Sequence, residues 1–442
     1  MLAKNYFTRA FLSTVLTLCR VNLISLSIPE FPPRIIMSED KNFLTGHLQP
    51  LGHQRSPSGA VKEYTEAVRP EEFWEKHVNL SVPLVLRQGI GKSPALNTWI
   101  NDDYLRDSYG ELDVLIELKE EDRAHSTRRM NISEFLSRYK HEDIYVVTLL
   151  PDPMRKEIQV PYCLLCGSFL DYIHETNFWM SSGGTRSVIH YDADHNLHCL
   201  VSGRKDFIMI ERKYAEDLYF FEMKEYSGSS FSGIDPNNVD LVKFPHVAKV
   251  PWTYATLSPG DCIYIPAEYI HQVRSYKRTI SATILFTSGP LLDTPFKPEG
   301  CNETLNYTPL SDVEVHWTYQ KGDAYIEMGY MNVEVMRHSL LATIKERNEE
   351  NLTKEAFLEF WGDYEEQPYE YHDDNIKEDP RVTFEKYLDK KHKGFVTKED
   401  ILNIPRETLK ALARLVDVPH GPQAKTENGA KLDKKLAVHE DL

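Results

Sequence analysis

Between residues 178 and 290 the chain breaks into eight short runs of β-branched and aromatic residues: FWMSS, SVIHYD, HCLV, KDFIMI, YATL, DCIYI, HQVRS and SATILF. Gly, Pro, Asp and Ser turn signals separate them. Many short strands punctuated in this way point to a sandwich or barrel of jelly-roll type. SPGD (258–261) is a turn by composition and delivers the chain into CIYIP, where Pro266 ends the strand or places it at an edge. The preceding stretch mixes periods. EEFWEKHV (71–78), NTWINDDYLRDSYG (97–110, stopped at Gly110) and ISEFLSRYK (132–140) have helical spacing, whereas SVPLVLRQG (81–89), DVLIEL (113–118) and IYVVTLL (144–150) read as strands. The expected fold is a mainly β core with flanking helices.

A different pattern takes over after a connector at 291–330. Val333, Met336, Leu340 and Ile344 fall on one helical face, and KEAFLEFW (354–361) continues the helical character. An acidic, Tyr-rich loop follows (363–379), then FEKYLD, KKHKGFVTKED, ILNIP and TLKALARLV as helix–loop–helix. The expected layout is a leader and linker at 1–60, the β-rich domain at 61–290, a helical module at 331–417 and a disordered tail at 418–442.

Lys4 and Arg9 precede an apolar stretch from Ala10 to Cys19, the order found in a secretory signal peptide, and Arg20 interrupts it before it could span a bilayer. A start at Met37 is the competing reading. Five Asn-x-Ser/Thr sequons, at Asn79, Asn131, Asn302, Asn306 and Asn351, become glycan acceptors only if the chain enters the lumen. The expectation is a secretory-pathway glycoprotein, lumenal or secreted, with a cytoplasmic or nuclear protein as the alternative. Six cysteines in 442 residues are too few for a disulfide-built scaffold. Cys163 and Cys166 form a lone CxxC that reads as two ordinary buried cysteines, and Cys199 and Cys262 sit in apolar runs and read as core. At 41% hydrophobic and 27% charged residues the chain can bury a sizeable core, and a net charge of −16 without a local basic patch argues against nucleic-acid binding.

The sharpest chemical signal is His190-Tyr191-Asp192, followed 81 residues later by His271. Residues two apart on a strand share a face, so His190 and Asp192 can reach one metal while Tyr191 points away. A neighbouring strand could bring His271 to the same point. Two imidazoles and one carboxylate form the facial triad of non-haem Fe(II) oxygenases, which leaves coordination positions open. The tripeptide alone is common by chance. Context raises its weight: Lys205, fifteen residues after His190, opens the strand KDFIMI, and a cation inside a barrel wall is costly unless it meets an anion. A dicarboxylic co-substrate would supply one. Asn196 could donate to a carboxylate near the metal. His195 and His198 read as supporting or solvent residues, with His198 able to line the pocket, and Trp179 and Trp252 read as barrel packing.

FWMSSGGTRSVIHYDADHNLHCLVSGRKDFIMI and LSPGDCIYIPAEYIHQVRS resemble the two halves of JmjC-type, cupin-like 2-oxoglutarate oxygenases, over about 61–290. The similarity is greatest to the small protein hydroxylases, and less to the large histone demethylases, because no reader domain or zinc cluster accompanies it. The resemblance implies a double-stranded β-helix core with His190, Asp192 and His271 as Fe(II) ligands. It implies Lys205 and Ser187 on the distal carboxylate of 2-oxoglutarate, a hydroxyl from Tyr145 on the same group, and Asn196 near the metal-bound end. The strand SATILF lacks an Asn that some members place there, and Thr283 is a polar substitute. The implied activity is hydroxylation of a protein or peptide side chain. A JmjC demethylase and a non-catalytic cupin scaffold are the alternatives.

Asp389 to Asp400 has the length and central Gly394 of an EF-hand loop, but Lys391 and Lys393 stand where oxygen ligands belong and would repel Ca²⁺. The segment resembles an EF-hand that has lost most metal affinity, a docking or structural module rather than a calcium-binding regulator.

Overall fold

The computed structural model describes residues 28–35, 44–119, 128–220, 230–286, 296–298, 300–302, 306–321, 324–365, 380–405, 407–409 and 411–412. Thirteen strands join in one sheet. They are β1 (Gly59–Ala60), β2 (Glu63–Tyr64), β3 (Leu84–Leu86), β4 (Asp113–Leu118), β5 (Arg128–Asn131), β6 (Ile144–Leu149), β7 (Ile173–Ser181), β8 (His190–Tyr191), β9 (His195–Ile210), β10 (Ser230–Phe231), β11 (Thr253–Leu257), β12 (Cys262–Ile265) and β13 (Ile270–Phe286).

Two long strands account for the architecture. The first half of β9 pairs with β12, Cys199 opposite Cys262, and its second half pairs with β11, Lys205 opposite Leu257. β13 runs antiparallel beside both halves. One wall therefore continues through β7, β6, β4 and β5 on one side and β12, β3 and β2 on the other, while the second wall carries β1, β11, β8 and β10. This is the jelly-roll core expected from the strand pattern. HCLV and KDFIMI, expected as separate strands, are one, and so are HQVRS and SATILF. The intervening Ser-Gly-Arg bends the strand without ending it. Gly203 sits at φ +87°, where a Cβ would lie 2.6 Å from the Arg278 carbonyl oxygen, and the register of β13 shifts between Tyr276 and Ile280. An irregularity of this kind also shifts which residues point inward. Asn196, His198 and Leu200 face the interior before the bend; Lys205, Phe207 and Met209 face it afterwards, in a cluster with Val85, Leu257 and Ile263.

The larger apolar core lies outside this interior. The helices Asp102–Tyr109 and Ile132–Arg138 pack Leu105, Phe135 and Tyr139 there with Phe178, Tyr264 and Phe286. The sequence 97–110 does not form one helix: Asn101 starts a new one by accepting the Asp103 N–H on its side chain, a standard N-cap.

The cysteines behave differently from expectation. Cys166 bonds Cys301, Cys199 bonds Cys262, and Cys163 is free and buried. The cause is register: Cys199 and Cys262 are cross-strand neighbours 4.0 Å apart at Cα, which no sequence spacing reveals.

Beyond the barrel, β14 (Glu314–Lys321) and β15 (Ala324–Asn332) form an antiparallel pair within the stretch read as a connector. Met336, Leu340 and Ile344 from the helix Val333–Glu346 then join Leu352, Phe357, Phe384, Val396 and Ile401 in a separate apolar cluster. Its two loops meet through β16 (Asn351–Thr353) and β17 (Phe395–Thr397), Leu352 opposite Val396. The leader at 1–27, most of the acidic loop (366–379) and the tail lie outside the described residues. Among those described, no helix is long and apolar enough to cross a membrane.

Candidate active site

β8 and β13 set His190 directly opposite His271. Asp192 follows β8, and its backbone carbonyl accepts the Glu268 N–H at 2.7 Å, tying this turn to the residues that lead into His271. One ligand atom from each of His190, Asp192 and His271 lies within 4.8 Å of the others, and among the described residues this is the one His/Cys/Asp/Glu group so arranged. Tyr191 points away, stacked on Phe220 and beneath the Arg212 guanidinium.

The protons of these groups are arranged for a cation. Nδ1 of His190 donates to the Val188 carbonyl at 3.0 Å and Nδ1 of His271 to that of Tyr269 at 3.0 Å, so each ring turns its Nε2 inward. Those nitrogens lie 3.9 Å and 3.7 Å from the Asp192 carboxylate. Burial, with His190 alongside, holds the His271 imidazole down to about 4, so it is neutral at physiological pH. Asn196 donates to Asp192 Oδ2, while the buried Oδ1 has no hydrogen-bond partner among the described residues. Two imidazole nitrogens and a buried carboxylate that converge with one carboxylate oxygen unbonded are costly to hold together unless a positive ion joins them. The donor set fits a metal of the kind that two imidazoles and a carboxylate select.

Lys205 sits deeper in the same interior, 6% exposed. Its ammonium donates to His198 Nε2 at 3.1 Å and Ser281 Oγ at 2.9 Å, lies 5.7 Å from the Trp179 ring centre, and forms no ion pair among the described residues. Burial holds its pKa down to about 7. Burial and the Lys205 charge keep His198 well below the ordinary imidazole range.

The remaining candidates are placed as follows. Ser187 accepts the Val273 N–H on Oγ at 2.8 Å, and the hydroxyl beside Lys205 belongs instead to Ser281, which the sequence reading missed. Tyr145 donates to Glu117 across the β4–β6 pair at 2.7 Å, and no contact joins it to Lys205 among the described residues. Thr283 accepts from Trp179 Nε1 at 2.9 Å and bonds His198 Nδ1 at 2.7 Å, so Trp179 faces the pocket, whereas Trp252 packs an outer cluster. His195 faces outward, bonded to Tyr264 and the Ala267 N–H. The signal for Ser281 and Thr283 was their i, i+2 spacing, which puts both on one strand face.

The chain is similar in sequence to several known proteins. "Jumonji C domain-containing protein 5" of Drosophila melanogaster is 29% identical over 255 residues, 53% of this chain and 62% of that protein. "Lysine-specific demethylase JMJ31" of Arabidopsis thaliana is 34% identical over 146 residues, 32% of this chain and 25% of its own length. The human "Bifunctional peptidase and (3S)-lysyl hydroxylase JMJD7" is 22% identical over 275 residues, 51% of this chain and 84% of that protein. The chain thus spans less than two thirds of the first two relatives' length. JmjC domains use Fe(II) and 2-oxoglutarate, and this interior offers the imidazoles, carboxylate and ammonium that such a pair requires. A family model for the cupin-like domain matches residues 70–290, the stretch that contains every one of these groups, and the chain belongs to that family in its JmjC form.

Proposed function

We propose that the protein is an Fe(II)- and 2-oxoglutarate-dependent oxygenase that hydroxylates a protein or peptide side chain. One observation carries the reading: a buried ammonium with no anion beside it among the described residues shares a barrel interior with a His-Asp-His group. A charge held in this way needs a partner, and the distal carboxylate of a keto-diacid supplies it. Bound together, Fe(II) and 2-oxoglutarate supply dioxygen activation, coupling loss of carbon dioxide from the diacid to insertion of one oxygen atom into a C–H bond and leaving succinate. The chain's own part is geometric. His190, Asp192 and His271 hold the metal from one side, Asn196 orients Asp192, Lys205 anchors the diacid, and the wall of Phe207, Met209, Leu257 and Ile263 keeps water out.

Demethylation is the second reading, favoured by the name of the Arabidopsis relative. It needs the same site, since hydroxylation of an N-methyl carbon gives a hemiaminal whose C–N bond breaks to release formaldehyde and leave the amine N–H. The test is succinate release from Fe(II)-loaded protein against peptide pools, with product masses read out. Gain of one oxygen atom supports hydroxylation, loss of a methylene group supports demethylation, and no substrate-dependent succinate in any pool refutes the oxygenase reading in favour of a binding scaffold.

The compartment proposed is the secretory pathway. Two disulfides support it, because such bonds persist in oxidising compartments, and the sequon residues Asn79, Asn302 and Asn306 are exposed and open to a glycosyltransferase. A glycosidase-sensitive mass shift in protein expressed in its own cells supports the assignment; unglycosylated, fully reduced protein from those cells rejects it.

A further inference from the structure

We propose that His198, Thr283 and Ser281 complete the 2-oxoglutarate site as an all-donor cradle around Lys205, with His198 the positioning residue that fixes the others. The inference rests on the oxygenase reading and adds residues to it. Thr283 lies opposite His198 in the β9–β13 register, and Ser281, two positions earlier on the same face, lies opposite Trp179 on β7. The four side chains meet at the inner end of Lys205 as consecutive hydrogen-bonding partners.

The protons of this group are distributed to favour an anion. A charged ammonium has no lone pair, so Lys205 donates and His198 Nε2 accepts. The neutral imidazole then carries its proton on Nδ1, which donates to Thr283 Oγ1. Trp179 Nε1, a donor only, gives Thr283 a second hydrogen bond. With both acceptor positions filled, the Thr283 hydroxyl has only its proton left to offer. Ser281 Oγ accepts from Lys205 and likewise keeps its proton. One N–H of Lys205 has no acceptor among the described residues. Two O–H groups and one N⁺–H remain, all donors, with Phe207, Leu200 and Leu257 packed in the same interior. A carboxylate meets these demands, and a neutral amide or an alcohol meets them poorly.

His198 is the keystone because it serves both sides. Buried against Phe207 and across from Ile263, it costs free energy there unless both nitrogens are bonded, and both are. It withdraws one Lys205 proton from the ligand and turns the Thr283 proton toward it. An aliphatic residue in its place would leave Lys205 short of an acceptor and let the Thr283 hydroxyl rotate.

The test is calorimetric titration of 2-oxoglutarate into Mn(II)-loaded full-length protein, beside a separate Mn(II) titration. His198→Leu and Thr283→Val are expected to weaken 2-oxoglutarate about 10- to 100-fold, since each removes hydrogen bonds to or beside a charged group, with Mn(II) affinity unchanged. His198→Gln retains one acceptor and one donor and is expected to restore most of the loss, as is Thr283→Ser. In turnover the defect belongs in KM for 2-oxoglutarate rather than in kcat. Should His198→Leu fail to fold, Thr283→Val, which conserves volume, decides. Wild-type-like 2-oxoglutarate affinity in the folded variants, or a parallel loss of Mn(II), overturns the cradle while leaving the oxygenase reading intact. Absence of 2-oxoglutarate binding by the wild-type protein overturns both.

Discussion

Asp192 is the residue on which the metal centre turns, because its carboxylate is buried and only half satisfied, with Asn196 hydrogen-bonded to one oxygen and no hydrogen bond to the other among the described residues. Asp192→Ala is expected to abolish the thermal stabilisation that saturating Mn(II) confers, about 2.7 kcal/mol at a hundredfold excess over Kd. Asn196→Ala, which frees the carboxylate to rotate, is expected to weaken metal about 10- to 100-fold. A thermal shift that survives in Asp192→Ala would place the metal elsewhere. Lys205 gives a second prediction through its proton. An exposed lysine titrates at 10.5 and this one at about 7, so between those values the unfolded chain holds a proton that the folded chain has released. The metal-free, ligand-free protein therefore gains stability as pH rises through that window, and below about 7 the full cost of the buried charge is present. Binding a dianion needs the proton back, so 2-oxoglutarate affinity falls above pH 7, at most about tenfold per unit. Lys205→Met is expected to bind weakly at every pH and without that slope. A flat wild-type profile, followed by calorimetry, would mean the ammonium stays charged throughout. These residues were legible in advance because strand alternation and the i, i+2 rule act locally. The partners of Tyr145 and Ser187 were not, since Glu117 and Val273 reach them across strands whose register the sequence does not state. His198 was read as able to line the pocket, but its bond to Lys205 was not legible, and Ser281 was not singled out, because both contacts cross strands whose register the sequence does not state.

At the scale of elements, the strand pattern was readable and its continuity was not. Ser202-Gly203-Arg204 carries turn composition, yet closing two walls with shared strands requires a bend inside β9, and those residues supply it while the ladder to β13 continues. Composition reports local backbone preference and says nothing about whether hydrogen bonding resumes beyond a turn. The same limit hid the Cys199–Cys262 bond, which staples β9 to β12 between Asn196 and Lys205 on one strand and the turn that leads to His271 on the other. It spans 63 residues, and replacing both cysteines by serine is expected to cost about 2–4 kcal/mol in urea unfolding at pH 7. The loss should be accompanied by weaker metal binding, because the staple joins the strand that carries Asn196 to the one that leads into the turn before His271. A double variant as stable as the parent would show that the ladder alone holds this corner.

At the scale of the whole molecule, the chain builds two kinds of interior. The barrel keeps polar groups inside because a ligand-sized interior must be partly unsatisfied to bind anything, and its apolar weight lies outside, against the helices. The region beyond residue 333 does the opposite: Phe357, Phe384, Ile401 and their neighbours close a small apolar core, and its polar groups are used to fold the chain. Asp389, which opens the loop that resembles an EF-hand, accepts the N–H groups of Lys393 and Gly394 at 2.9 Å and 2.6 Å. Asp400, which closes it, caps the helix Lys398–Leu402 in a reciprocal pair with Thr397. The loop thus has the internal hydrogen bonds that shape such a turn, while Lys391 and Lys393 bring two positive charges where a cation would need oxygen. Leu352 opposite Val396 in an antiparallel pair joins the two loops. The expected result of titrating Ca²⁺ into the full chain is no heat of binding in the micromolar range and no shift in the unfolding temperature. Exchange of both lysines for aspartate is expected to create measurable affinity, because the backbone turn at Gly394 is already formed. Micromolar Ca²⁺ binding by the unmodified chain, lost in Asp389→Ala, would instead make this region a sensor and tie its occupancy to the barrel it follows.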